Sequence, residues 1–146
     1  MLKPREVRHD ADLYRLYQKE ATRIERGGGR PVRVLLDYEL KRNLNRDLAQ
    51  MGPDKDDPHA KERIAEKHGL QVVNGKIPVP DLRVEYETQE LELRHVDLEL
   101  ATRDYRPRAM AAKAAAGFSL YGRSEDASRL RRVLDEREIT ARILTL

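Results

Sequence analysis

Cysteine is absent from the 146 residues. That excludes a disulfide scaffold, a thiol nucleophile and any Cys-bearing zinc or iron–sulfur centre. Tryptophan is absent too, and Phe118 is the single phenylalanine. Aliphatic side chains must therefore build the core, with six tyrosines supplying most of the aromatic surface. No apolar run approaches the ~20 residues that a membrane helix requires. The opening Met1-Leu2-Lys3-Pro4-Arg5-Glu6 puts no apolar stretch behind its charges, so no secretory signal is expected and the expected location is cytoplasmic. An excess of one charge is also missing. The 29 Lys and Arg against 26 Asp and Glu leave +3, which permits nucleic-acid binding without requiring it. This length leaves room for one domain with a modest core: residues 1–146, with an N-terminal helix and glycine turn over 1–30 and the core over 31–146.

Hydrophobic periodicity supplies the elements. Leu13, Leu16 or Tyr17, Ala21 and Ile24 recur at helical spacing, which predicts a helix capped by Asp10. Gly27-Gly28-Gly29 stops it, and with no Lys-Ser or Lys-Thr behind it this run is a turn, not a phosphate loop. Val32, Val34 and Leu36 alternate as a strand, and Leu40, Leu44 and Leu48 turn helical. Asp57-Pro58 starts a helix that Gly69 ends. Leu70–Val73, Asn74-Gly75 and Lys76 onward read as a type I′ hairpin. Two longer strands follow over 81–87 and 91–101, with a bulge expected near Arg94 because the phase of Leu91 and Leu93 breaks there. Pro107 opens an Ala-rich helix closed by Gly117. A further helix over 124–134 and a closing strand over 139–146 complete the chain. Helices before and after a cluster of strands make the class α/β, a central mixed sheet flanked by helices.

The pair of strands over 81–87 and 91–101 holds the chemistry. A hairpin centred on Glu90 sets Leu82 opposite Leu98 and Val84 opposite Val96, burying like with like. The same register pairs Arg83 with Asp97 and Glu85 with His95, and it places Asp81 opposite Glu99. Directly opposed carboxylates require a proton, a basic neighbour or a cation, and Mg²⁺ commonly sits on one or two carboxylates. The alternative is a surface charge pair neutralised by Arg83 or Arg103. A one-residue slip would separate the two carboxylates.

Val79-Pro80-Asp81, the hairpin and Val96-Asp97-Leu98-Glu99-Leu100-Ala101 together resemble the PD-(D/E)XK nuclease-like superfamily. In that family an Asp follows a Pro at one strand's start, a Glu lies in the next strand and a Lys follows two residues later. Asp37-Tyr38-Glu39-Leu40-Lys41-Arg42 on an early helix and a Lys-bearing helix ending near Tyr121 make the chain most similar to the nuclease-like domain of plasmid replication–relaxation proteins. The resemblance spans roughly residues 33–122. It implies a restriction-endonuclease-like core with an extra N-terminal helix, and phosphodiester hydrolysis in plasmid or mobile-element DNA. It also implies Mg²⁺ or Mn²⁺ on Asp81 and Glu99, with Glu39 assisting. The chain departs from the pattern at Ala101, where the family has its lysine. Lys113 on the following helix is the expected substitute, because the guanidinium of Arg103 cannot act as a base. The loss of that lysine keeps a second expectation open, a catalytically degenerate DNA-binding or protein-interaction domain on the same fold.

Arg103, Arg106 and Arg108 flank the Ala-rich helix and are the candidate DNA-phosphate contacts, positioning without reading sequence; the alternative is solvated helix-end charge. DNA is the expected partner, with a second copy of the chain as a further candidate. His9, His59, His68 and His95 lack ligand spacing and are read as structural or surface residues. Ser119, Ser124 and Ser128 lack the context of a nucleophile elbow.

Overall fold

The computed structural model describes residues 4–52, 57–102, 105–137 and 141–146, with side chains from residue 10 onward. Ten elements follow one another: α1 (Pro4–Arg26), β1 (Arg30–Leu36), α2 (Asp37–Gln50), α3 (Pro58–Lys67), β2 (Leu82–Glu87), β3 (Leu93–Leu100), α4 (Pro107–Ala115), β4 (Ser119–Gly122), α5 (Ser124–Glu136) and β5 (Ile143–Thr145). The strands form one mixed sheet in the order β1-β2-β3-β4-β5. β2 runs antiparallel to both of its neighbours, β1 and β3, whereas β4 lies parallel to β3 and β5 parallel to β4. Parallel neighbours need a crossover, and α4 and α5 supply the two. The fold is thus the α/β class expected, with helices flanking a central mixed sheet.

The β2–β3 register follows from burial. Leu82 pairs with Leu98 and Val84 with Val96, and these side chains share a face with Leu100 and Tyr121 on which Leu16 and Ile24 of α1 pack. A slip of one residue would send Leu82, Val84 and Leu98, all at most 2 % exposed, to the other face. Each such side chain stabilises the fold by about 1.5–3 kcal/mol when buried, so the register is firmly specified. The opposite face is covered in two parts. Leu40 and Leu44 of α2 join Ala65 of α3, Leu35 and Phe118. Met110 and Ala114 of α4 join Leu130 and Leu134 of α5 over Leu120.

Several boundaries differ from expectation. α1 begins at Pro4, not at Asp10; proline suits a first helical turn, where its missing N–H costs nothing. No bulge interrupts β3, because the pairing runs unbroken from Glu87↔Leu93 to Leu82↔Leu98. The break in apolar phase arises because Leu91 and Leu93 are exposed, with Leu91 in the turn at φ +64. The 70–76 hairpin shrinks to a single bridge, Val73↔Lys76, although Asn74 and Gly75 adopt the two positive φ angles of a type I′ turn. The Lys-bearing helix stops at Ala115, and Gly117 at φ +88 turns the chain into β4. β4 was not expected; Tyr121 lies inside it. Of the closing strand, residues 143–145 are extended, and residues 139 and 140 lie outside the described residues.

Candidate functional site

The site forms where β2 and β3 reach the link to α4. Asp81 directly precedes β2, beside Glu99, the penultimate residue of β3. Backbone pairing ends at Leu82↔Leu98, and side chains carry it one step further. The Asp81 amide donates to Glu99 Oε1 at 3.0 Å, and the Leu100 amide donates to Asp81 Oδ2 at 2.8 Å. These two bonds bring Asp81 and Glu99 together at the end of the hairpin, close enough for the Asp81 charge to act on Glu99. Buried Val79 and Pro80 lead into this corner.

Glu99 is 3 % exposed. Its Oε2 accepts a hydrogen bond from the Tyr105 hydroxyl and lies 3.3 Å from Lys113 Nζ. Lys113 is itself fixed, donating to the Val79 carbonyl at 2.5 Å and lying 5.7 Å from the centre of the Phe118 ring. Burial, followed by the neighbouring Asp81 charge, pushes Glu99 up to about 7, against the opposing pull of Lys113 and Tyr105. Burial likewise raises the Tyr105 hydroxyl, with the Glu99 charge acting in the same direction, so Tyr105 stays a donor at neutral pH. A carboxylate held near neutrality between a second carboxylate and an ammonium can exchange a proton or accept a cation.

Lys113 thus stands beside Glu99, while Ala101, two residues after Glu99, is buried at 3 % and packs with Met110 and Leu120. Arg83 does not neutralise the pair. Its guanidinium is a fork on Asp97 (2.6 and 3.0 Å) and also donates to the carbonyls of His68 and Gly69. Glu39 turns back on its own helix, its carboxylate accepting from the Leu36 amide at 3.3 Å. Among the described residues no group of three His, Asp or Glu side chains surrounds a single point, so Asp81 and Glu99 alone form the acidic set. Arg106 and Arg108 are exposed at the start of α4; Arg103 lies outside the described residues. His68 bonds Asp47 at 2.6 Å, and His95 lies 3.6 Å from Asp97; neither reaches the carboxylate pair.

Tyr105 is the site residue that sequence reasoning missed. It sits in the β3–α4 link, its carbonyl held by Arg129 of α5 at 3.0 Å and its amide by Thr102. The available signal was an aromatic residue six positions after Glu99 and two before Pro107, where a link must fold back toward the strand it leaves. Compared with protein-family models, curated proteins and solved structures, the chain matches none. The face-to-face carboxylates, with Lys113 and Tyr105 on the more buried one, are the feature from which a function must be argued.

Proposed function

We propose that this chain is a nuclease-like domain that hydrolyses DNA phosphodiester bonds, with Mg²⁺ or Mn²⁺ held by Asp81 and Glu99. The observation that carries the reading is the opposition of these carboxylates on neighbouring strand ends with the Lys113 ammonium 3.3 Å from one of them. The element order supports it too: an early helix, the Pro-Asp strand, the Glu strand and then the Lys-bearing helix. The donor set fits the ion. Two hard carboxylates are what Mg²⁺ commonly takes, with water and substrate phosphate as its remaining ligands. Asp81 Oδ1 accepts no hydrogen bond from the described residues, and the mutual repulsion that raises Glu99 is relieved by positive charge.

A bound divalent ion supplies a water of lowered pKa and offsets charge on the scissile phosphate. The chain's own residues do the rest. The Asp81 and Leu100 amides fix both carboxylates, Tyr105 orients Glu99, and Lys113 presents a cation to the phosphate in place of the lysine missing at position 101. Asp81→Asn and Glu99→Gln should each abolish Mg²⁺- or Mn²⁺-dependent nicking of supercoiled plasmid while leaving the circular dichroism spectrum unchanged. Lys113→Gln should slow nicking by about 10²-fold or more, the usual cost of removing one electrostatic donor. Nicking that persists in either carboxylate variant ends the proposal.

A second reading rests on Glu99 itself. Both of its oxygens already have partners within the protein, the arrangement of a closed polar network in a degenerate, non-cleaving DNA-binding or interaction domain. DNA retention that is indifferent to Mg²⁺ and to Asp81→Asn, with no nicking, selects that reading.

A further inference from the structure

α1 carries a row of cations on one face. Arg15, Lys19, Arg23 and Arg26 are all exposed and follow one another at spacings of four, four and three, which keeps them on one side of a helix. From first to last they span about 16 Å at 1.5 Å per residue. Their charge is poorly compensated. Arg15 and Arg26 contact no carboxylate among the described residues. Lys19 Nζ bonds a neutral acceptor, the Thr145 carbonyl, at 2.8 Å. Arg23 lies 3.9 Å from Glu20, whose charge is already met by Arg142 at 2.8 Å. The lower part of the row borders an open groove of about 550 Å³ between α1 and β5, floored by Tyr121 and Leu144.

We propose that this groove and the cation row bind the sugar-phosphate backbone of a nucleic acid. The partner must present negative charge repeatedly along about 16 Å, as a sugar-phosphate backbone does. The residues between the cations, Gln18 and Thr22, are polar. An interfacial membrane helix would need a row of large apolar side chains beside the charges, and among the described residues Tyr14 is the one large hydrophobic side chain exposed on α1. The surface is separate from the carboxylate pair. α1 packs on the sheet face of Leu82 and Leu98, whereas Glu99 alternates to the other face. Backbone binding here therefore depends on neither a cation at Asp81 nor cleavage.

The test uses the full chain in excess EDTA, so that it stays independent of the nuclease reading. Fluorescence anisotropy of labelled single-stranded DNA, and of RNA of the same sequence, is followed against salt. Both probes should bind at low salt, with log K falling by about 0.7 per contacted phosphate for each tenfold rise in salt. The Arg15→Gln/Arg26→Gln double variant should bind about tenfold or more weakly, with a slope shallower by about 1.4. A charge-matched double variant on the other side, Arg42→Gln/Arg63→Gln, should follow the wild type. Absence of binding at low salt overturns the proposal. So does an unchanged slope in the α1 variant, an equal loss in the α2–α3 variant, or a preference for anionic vesicles or poly-glutamate over both oligonucleotides.

Discussion

Glu99 is the residue on which the molecule's electrostatics turn. Burial and the Asp81 charge raise it from an ordinary 4.5 to about 7. Between these values the native state holds a proton that the unfolded chain has released, so stability falls as pH rises. The cost is absent below the unfolded value and fully present above about 7. At 1.36 kcal/mol per unit it amounts to about 3 kcal/mol. Urea unfolding in the presence of a chelator should therefore show the wild type losing about that much between pH 4.5 and 7.5. Glu99→Gln, neutral throughout, should show a much flatter profile over the same range. Parallel profiles in the two proteins would mean that the buried carboxylate is not under this strain. Arg83 and Asp97 differ from Glu99 in how they are partnered. Both are buried, but the fork between them and the two carbonyls that complete the guanidinium leave neither charge without a partner.

Arg83 also ties an element to the sheet. By donating to His68 and Gly69 it clamps the end of α3 onto β2, and Gly69 is the hinge of that clamp. Its φ is +67, and a Cβ there would come within 2.8 Å of the His95 ring and 3.3 Å of the Arg83 guanidinium. Gly75 has a similar φ of +77 with nothing within 4 Å of a Cβ. Gly75→Ala should therefore cost about 1 kcal/mol, the left-handed backbone penalty alone, and Gly69→Ala about 2–3 kcal/mol because the clamp must also shift. Equal losses in denaturant titrations would mean that the contact around Gly69 is slack. These elements differ in how openly the sequence announces them. The hairpin register was legible because Leu82, Val84, Val96 and Leu98 can be buried together in one alignment, and that alignment places Asp81 against Glu99. The stop at Gly117 was legible for the same kind of reason, since the left-handed position suits glycine. β4 was not, because four residues between a glycine and a helix start are too few to show a period, and Tyr121 reads equally well as the end of a helix. From local pattern Lys113 was legible only as a lysine on a helix, and its candidacy for the site came from the family resemblance. Its approach to Glu99 depends on the β3–α4–β4 crossover, which returns the helix over the strand it has just left, and local pattern does not encode that return.

Across the whole molecule, the first helix and the last strand are joined by groups more than a hundred residues apart. Glu20 of α1 is 2 % exposed; it accepts from the Tyr121 hydroxyl on β4 and from Arg142 just ahead of β5. Arg142 also donates to Ser119 at 2.9 Å, and Lys19 closes onto the Thr145 carbonyl. Burial raises the Tyr121 hydroxyl, with the bond to Glu20 adding to the shift, so Tyr121 remains a donor at neutral pH. β5 contributes three residues to the sheet edge, which is too little pairing to hold a strand firmly by itself. Ile143 packs against the α5 cluster and Leu144 on the α1 side, the lashing to α1 adds to this hold, and α1 and β5 should open as one unit. Glu20→Ala should cost about 2 kcal/mol, less than for a fully enclosed pair because Arg142 is 38 % exposed and can turn to water. The diagnostic measurement is native-state hydrogen exchange, which resolves such local openings. Amides of β5 and of the α1 segment around Glu20 should lose protection together and by the same factor in Glu20→Ala, while β2 and β3 lose only what global stability loses. Loss of protection in α1 with β5 unchanged would mean that the strand is held by the sheet alone, and that the groove between them is bordered by two independent walls.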